Sequence, residues 1–563
     1  MTILDYIIIL AFIVLIAVSE IQKYIYEKKQ KVSNEETKID NFCNKHYKKI
    51  WLVFILILLM TVIYKFGELP SYIGVDEAGM AYDSYCISNY GVDRFENSYP
   101  LYLKNFGGGQ SVLCSYISAL FIKILGANMI AYRMPVLLIY ILGTIASYLF
   151  VSKSKDKKTA LLFTFLIITC PWNIMNARQA LDCNLYAGML MIDLFFMNRA
   201  KKNYQYLIAG ISVGITLYTY CLSWITMPIF LVIWAIYMLY LKKVKIKQLI
   251  IFTIPMIILA MPLIYFLLLN YGIVNKTQIG IFTFPILTEF RGNQIAISNI
   301  WKTGLESIQT IFLAKKTIYP VYVPLFIIGY VISFTRAIRE IKRKEYTIGT
   351  IMVIAFTSML VGLLFTRIPT PNKANVLYIP IIYFVTIAIL EICKNSRVLL
   401  LTAIIAISIL FVNFEYQYYT KYAIMPNNQW YEDESLSKLS NILEQNEQTK
   451  ELEKYVIAYR TSPYIYPTLS MQMSPYNFSS TIQTKEYYGV IETTKVGNYH
   501  YYNYFSNINE LGYVNFKDNN YIVIVSNKFE EVINYMQRQN YQEQEYMDLY
   551  IFTNKEYQVD LDI

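Results

Sequence analysis

The chain has 563 residues, 55% of them hydrophobic and only 16% charged, with a mean hydropathy of +0.35. A water-soluble fold cannot cover that much apolar surface, so the bilayer must be the solvent for most of it and an ordinary soluble domain is excluded. The formal charge of +10 does not point to nucleic acid, because the lysines and arginines fall mostly in short connectors between apolar runs, which is how membrane orientation is encoded.

In chain order, residues 4–20 form an apolar run with Asp5 ahead of it and a lysine-rich stretch behind. That is the reverse of a signal peptide's charge order, so the run is expected to stay as an anchor with its N-terminus outside. Lysines 23, 28, 29, 31, 38, 45, 48 and 49 mark 22–50 as cytoplasmic, and a span at about 51–67 leads out. Further spans are expected near 131–151, 159–176, 184–198, 205–221, 224–241, 248–269, 318–335, 347–366, 375–393 and 398–413, about twelve crossings in all. The connectors this places inside hold 26 Lys/Arg in 63 residues, against 11 in 129 for those outside. That asymmetry fixes the orientation and puts the long loops 67–130 and 270–317 outside, with the tail from 414 onward.

Within the first of these loops, residues 111–125 read as an amphipathic helix too short to span, expected along the outer interface. The tail alternates as strands at Tyr455–Tyr459, Tyr521–Val525 and Tyr546–Thr553, with a helical pattern over Lys528–Gln539, which predicts a small α/β domain. The sequence carries no internal repeat and no inverted pair of broken helices of the transporter kind. Seven cysteines without a CxxC pair and two distant histidines, His46 and His500, exclude a histidine-rich metal site and a His-based triad. Cys86 and Cys114 could bridge, with free thiols the preferred reading.

The chemistry-bearing stretch is Gly74-Val75-Asp76-Glu77-Ala78-Gly79-Met80-Ala81-Tyr82-Asp83, running on to Tyr99-Pro100 and Lys104-Asn105-Phe106-Gly107-Gly108-Gly109. As a helix it would place Asp76, Met80 and Asp83 near one face, so both aspartates could look into one cavity. A carboxylate among other acids at the edge of an apolar scaffold suits general-base work; Asp76 as a helix cap among solvated loop charges fits the pattern equally. The glycine run is not a P-loop, since no Gly-Lys-Ser/Thr follows, and a flexible hinge is the blander account. Asp193, inside a span, is expected to make a polar contact between helices.

Val75-Asp76-Glu77-Ala78 directly after a span, then Tyr99-Pro100 to Lys104, an interfacial helix, Gly126-Ala127-Asn128 and Arg133-Met134-Pro135 resembles the first exterior loop of the polyprenyl-phosphate-sugar-dependent glycosyltransferases of the GT-C fold. The resemblance is to the glycosyltransferase family 39-like group of protein O-mannosyltransferases and lipid A aminoarabinose transferases. Pro171-Trp172 through Arg178 and Asp182 to Asn184 resembles that group's second exterior loop, and Arg367 through Asn372-Lys373 to Asn375 a later one, so the likeness covers most of 51–395. With the hydropathy and charge pattern it gives an α-helical polytopic membrane protein of GT-C type with a small C-terminal α/β extracytoplasmic domain: residues 1–50 an anchor helix and cytoplasmic linker, 51–413 the transmembrane catalytic domain, 414–563 the tail domain, the first span and the tail varying among such proteins. It implies an inverting transfer of a sugar from a polyprenyl-phosphate donor to an acceptor glycan, lipid or protein on the outer face of the plasma membrane, with no nucleic-acid partner. Asp76 would be the base, with Asp182 orienting the acceptor or supporting Asp76 and Glu77 in a supporting position; an ion pair of Asp182 with Arg178 one turn away fits equally. Lys104, Arg178, Arg367 and Lys373 are the candidates for the lipid phosphate, with Asp83 and Tyr102 beside the substrate. No cofactor is assigned, and a divalent cation is left open, since two or three acids could hold one but the set is not diagnostic. A transporter or flippase, and a GT-C-like scaffold without activity, are the competing classes.

Overall fold

The computed structural model describes residues 34–553 except 107, 155, 297, 302–305, 307–316, 367–369, 395, 423–430, 460–461, 488–489, 504–520 and 540. The expected anchor at 4–20 and Arg367 therefore lie outside the described residues. The chain divides into two compact units: Met1–Phe66, Pro135–Leu267 and Arg291–Tyr416 form one, and Gly67–Met134, Leu268–Phe290 and Gln417–Ile563 the other.

The first unit is helical. Among the described residues of the whole chain, seven helices are long and apolar enough to cross a membrane: Lys38–Ile63, Met129–Lys153, Ser223–Tyr240, Ile246–Asn270, Tyr322–Arg343, Asn375–Ile392 and Arg397–Lys421. Four other expected spans are occupied by shorter helices, for identifiable reasons. The run at 159–176 is split, because Lys157–Ile168 ends at Thr169 and Pro171 begins a second helix, Pro171–Asn176, at a position where its missing N–H costs nothing. Cys183–Arg199, Asn203–Thr216 and Ile348–Leu364 are 17, 14 and 17 residues long.

Asn375–Ile392 is the centre of this unit, with 83% of its apolar window buried in protein. Tyr322–Arg343 crosses it at Gly329, where an added Cβ would sit 1.8 Å from the Phe384 carbonyl oxygen. Small residues allow such close backbone approach, and dispersion contacts between the helices then hold them. Beside the crossing, Phe326, Tyr330, Phe356 and Phe384 pack with ring centroids 5.2–6.1 Å apart. Asp193 accepts hydrogen bonds from Ser212 Oγ (2.5 Å) and Thr216 Oγ1 (2.7 Å), the interhelical polar contact expected of it.

The second unit is built around a seven-stranded mixed sheet. Its strands are β3 (Glu453–Ala458), β4 (Gln483–Tyr487), β5 (Val490–Val496), β6 (Tyr499–Asn503), β7 (Tyr521–Ser526), β8 (Gln542–Tyr546) and β9 (Leu549–Thr553); a two-stranded hairpin, β1 (Gln278–Ile279) and β2 (Phe282–Thr283), precedes them. The order is β4-β5-β6-β3-β7-β9-β8, with β3 parallel to β6 and β7 and the other pairs antiparallel. One face packs Ile457, Val523, Val525 and Phe552 against Ile533 and Met536 of the helix Glu530–Arg538. The other packs Val456, Tyr499, Tyr501, Ile522 and Ile551 into a core that also holds Ala78, Ala81 and Tyr82 of the helix Val75–Tyr90. The bounds read from the sequence put the loop 67–130 with the transmembrane domain and 414–563 in the tail domain. Instead the loop at 67–130 folds as two helices, Val75–Tyr90 and Leu113–Leu125, and shares the tail's core. Cys86 and Cys114 are both free and buried.

The crossing at Gly329 gives a first prediction. Gly329→Ala forces the Phe384 backbone to shift and should lower stability by about 1–3 kcal/mol, read as a fall in the unfolding midpoint in detergent. Gly349→Ala, whose added Cβ would meet nothing nearer than the Tyr383 hydroxyl at 3.7 Å, should leave the midpoint in place.

Candidate active site

The helix Val75–Tyr90 starts with Asp76 and Glu77 in its first turn, where unpaired N–H groups and the helix dipole favour negative charge. The two carboxylates then diverge. Glu77 turns inward, 2% exposed, and accepts from Arg133 through Nε at 2.9 Å and Nη2 at 3.3 Å. Arg133 also donates to the carbonyls of Pro70 (3.1 Å) and Tyr72 (3.3 Å), fastening the approach of the chain to the helix. Asp76 faces outward and is exposed.

Asp83, two turns on, does not join Asp76 at an open cavity as expected. It is 1% exposed and forms a two-pronged pair with the fully buried Arg94, Nε to Oδ1 at 2.9 Å and Nη2 to Oδ2 at 2.7 Å. The helix period brings Asp76 and Asp83 to neighbouring faces, but a guanidinium delivered from eleven residues away captures the second one. Arg94 Nη2 also reaches Gly79 O (2.7 Å) and Asn105 Oδ1 (3.1 Å). Its carbon lies about 6 Å from the ring centres of Tyr82, Phe95 and Phe106, at 6.0, 5.9 and 5.8 Å.

Asn105 Nδ2 donates to Asp76 Oδ1 at 3.2 Å, and Gln110 Nε2 donates to the Asp76 carbonyl at 3.2 Å. Both come from one tight hairpin, in which Leu103 and Gln110 exchange backbone hydrogen bonds and Asn105 O accepts from Gly108 N (3.1 Å) and Gly109 N (2.9 Å). Gly109 sits at φ +79°, and a Cβ there would come within 2.5 Å of Leu103 O. Gly108 and Gly109 thus close a turn that presents Asn105, in place of the flexible hinge expected. Tyr102, placed beside the substrate by resemblance, is 2% exposed and packs against this turn at Gly109. Lys104 is half-buried on the same hairpin, its Nζ 5.9 Å from the Phe95 ring centre.

In the helical unit, Arg178 does not stand in an open loop. It is fully buried and donates to the carbonyls of Thr61 (3.1 Å), Tyr64 (2.9 Å) and Lys65 (2.9 Å), sealing the last turn of the helix that starts at Asn34. This capping takes Arg178 out of the set offered for an anion. Asp182 caps Cys183–Arg199, accepting from Cys183 N at 2.7 Å. Asn375 ties the neighbouring segments together: its Oδ1 accepts from Trp172 Nε1 and from Asn176 Nδ2 (2.9 Å), while its Nδ2 donates to Asn184 Oδ1 (2.8 Å) and Cys183 O (3.3 Å).

Around the Cys221 thiol the charged neighbours are Arg291, Asp182 and Lys373, and Arg291 is also its hydrogen-bond partner. Burial holds Lys373 below the usual lysine value, and the positive charge of Arg291 adds to the effect. Two of the expected residues, Asp182 and Lys373, thus both lie near the Cys221 thiol. Arg291 was missed, because nothing in the 48-residue segment 270–317 separates it from four lysines in the same stretch. Among the described residues no group of three or more His, Cys, Asp and Glu could hold a metal ion.

Two predictions follow from these contacts. Arg178→Met leaves three carbonyls short of a donor and should lower stability by about 1–3 kcal/mol for each one that stays buried, measured by unfolding in detergent. The second concerns Asp93, which burial and then the Asp83 charge push up to about 7, against hydrogen bonds from Asn97 and Phe95 that favour the ionised form. The folded state then holds this proton more tightly than the unfolded state does. Its stabilising contribution should be present at about pH 4 and be lost as pH rises through about 7, and Asp93→Asn should flatten that slope in an unfolding-versus-pH series.

No family model matches the sequence, and no curated protein matches it. Solved structures do. ArnT from Cupriavidus metallidurans bound to undecaprenyl phosphate aligns over 89% of this chain and 97% of its own, at 11% identity and a TM-score of 0.55. The Archaeoglobus fulgidus oligosaccharyltransferase in complex with zinc and sulfate aligns over 85% of this chain and 68% of its own, at 13% identity and a TM-score of 0.53. The archaeal oligosaccharyltransferase AglB of the same organism, in complex with an inhibitory peptide and a dolichol-phosphate, aligns over 92% and 75%, at 13% identity and a TM-score of 0.50. The chain is a membrane protein with the GT-C fold that these glycosyltransferases share.

Proposed function

We propose that the chain is an inverting glycosyltransferase that moves a sugar from a polyprenyl-phosphate donor to an acceptor glycan, lipid or protein at the outer face of the plasma membrane, with Asp76 as the base. One observation carries this reading: of the three acids on the first turns of Val75–Tyr90, two are locked in buried arginine pairs and Asp76 alone is exposed. A base must be reachable by the acceptor, and the other two are not. The GT-C fold, whose solved examples carry undecaprenyl phosphate in ArnT and dolichol-phosphate in AglB, supports the donor class. The Lys/Arg asymmetry of the connectors supports the outward orientation.

In this reaction Asp76 takes the acceptor's hydroxyl or amine proton as the acceptor atom attacks the anomeric carbon. The bond from that carbon to the phosphate oxygen breaks, and its electron pair leaves with the lipid phosphate, which gains one negative charge. The leaving group is already a good one, so it needs cations more than an acid. Lys373 suits that role, since burial and the positive charge of Arg291 beside it disfavour its own charge until an anion arrives. Lys104 keeps its place as a phosphate candidate on the hairpin that carries Asn105. Asp182 beside the cations suits acceptor orientation. A transport reading finds no support at Asp193, whose two hydroxyl partners already satisfy it.

The test is transfer from labelled polyprenyl-phosphate sugars by the purified protein. Asp76→Asn should lower kcat by about 10²–10⁴-fold, and Lys373→Met should raise KM for the donor by about tenfold or more. Undiminished turnover in Asp76→Asn overturns the base assignment, and wild-type protein that transfers from no such donor overturns the donor class.

A further inference from the structure

We infer that Asn105 and Arg94 are positioning residues for Asp76, acting as a two-step relay that sets which way the Asn105 amide faces; this rests on Asp76 being the base. An asparagine amide has an acceptor end and a donor end, and its neighbours decide which points where. Here the acceptor end, Oδ1, lies 3.1 Å from Arg94 Nη2, and the donor end, Nδ2, lies 3.2 Å from Asp76 Oδ1.

A guanidinium carries donors only. Turning the Asn105 amide over would set NH₂ against NH₂ at Arg94 and oxygen against a carboxylate oxygen at Asp76, two repulsive contacts in place of two attractive ones. Arg94 cannot yield either, because Asp83 grips it through both prongs, the Gly79 carbonyl takes a further hydrogen bond, and the Asp83 carboxylate also accepts from the Arg94 backbone N–H at 3.1 Å. The hairpin fixes Asn105 from the other side, through the bonds its carbonyl accepts from Gly108 and Gly109. The donor aimed at Asp76 is therefore set before any substrate arrives, so the carboxylate is held in one orientation at no cost during the reaction.

Gly79 supplies a separate observation. A Cβ at this position would lie 2.5 Å from Asn105 Oδ1 and 2.8 Å from Arg94 Nη2, so the space this helix position leaves open is the space the relay occupies. Its φ lies outside the left-handed region that favours glycine, so the backbone itself does not call for one there. The requirement comes from the two polar atoms packed over it.

The experiment compares Asn105→Asp, Gly79→Ala and Asp76→Asn with wild type in the same transfer assay, with unfolding midpoints in detergent measured in parallel. Asn105→Asp is nearly isosteric and keeps an acceptor for Arg94, but it replaces the donor facing Asp76 with a second carboxylate oxygen. Gly79→Ala pushes the amide off its place without adding charge. Both should lower kcat by about ten- to a hundred-fold, with donor KM within about twofold of wild type and the Asn105→Asp midpoint close to it. A purely structural role would move the midpoint and leave the kcat of the surviving enzyme unchanged. Wild-type kcat in Asn105→Asp alongside an inactive Asp76→Asn overturns the relay and leaves the base reading standing. Wild-type kcat in Asp76→Asn overturns the base reading, and the relay with it.

Discussion

The buried pair of Arg94 and Asp83 is the interaction on which the carboxylate-bearing unit depends. A guanidinium with no solvent exposure is tolerable only when a carboxylate and further acceptors surround it, and losing one partner of such a pair costs about 3–5 kcal/mol. Because the pair joins the helix Val75–Tyr90 to the turn that follows it, it also fixes where the hairpin 103–110 can sit. The aromatic rings of Tyr82, Phe95 and Phe106 flank Arg94, and Tyr82 in turn packs on Phe478 and donates its hydroxyl to Met473 O at 3.0 Å. The sheet-bearing tail therefore serves as the foundation under the carboxylate helix. This gives a physical role to a segment in which no catalytic pattern can be read.

Charge is distributed in the same way in both units. Arg94, Arg133 and Arg178 are each buried and each serve as fasteners, two on carboxylates and one on helix-end carbonyls. Arginine suits this, since it is always charged and its five donors can satisfy several acceptors at once. What this leaves for chemistry on the helix Val75–Tyr90 and its hairpin is the exposed carboxylate of Asp76 and the half-buried Lys104, and in the helical unit Arg291, Lys373 and Asp182 lie around Cys221.

Much of the fold was legible from the chain alone, because apolar runs and Lys/Arg asymmetry are imposed by the bilayer and survive in any single sequence. Each expected span that falls in the described residues is occupied by helix, the one at 159–176 by two, and the tail's strands at 455 and 521 lie where alternation put them, while the run 546–553 holds the end of one strand, a turn and the next strand. The divergence of Glu77 from Asp76 could also be read, since adjacent helix residues point about 100° apart. Asp83 could not be: periodicity says which face a residue occupies, and only the fold says that Arg94 returns to cover that face. Arg178 misleads for a related reason, as a loop arginine next to an aspartate looks like an anion ligand until the carbonyls of Thr61, Tyr64 and Lys65 come within its reach. Arg291 and the Asn375 hub are tertiary facts, joining segments up to about two hundred residues apart, for which sequence spacing carries no signal.

The stereochemistry of transfer ties these features to one claim, that a single exposed carboxylate works as a base with no covalent intermediate. The most direct test is the anomeric configuration of the product, determined by NMR on material made from a polyprenyl-phosphate sugar of defined configuration. A base-assisted single displacement predicts complete inversion at the anomeric carbon. Retention would require two successive displacements through a glycosyl-enzyme and would contradict the account.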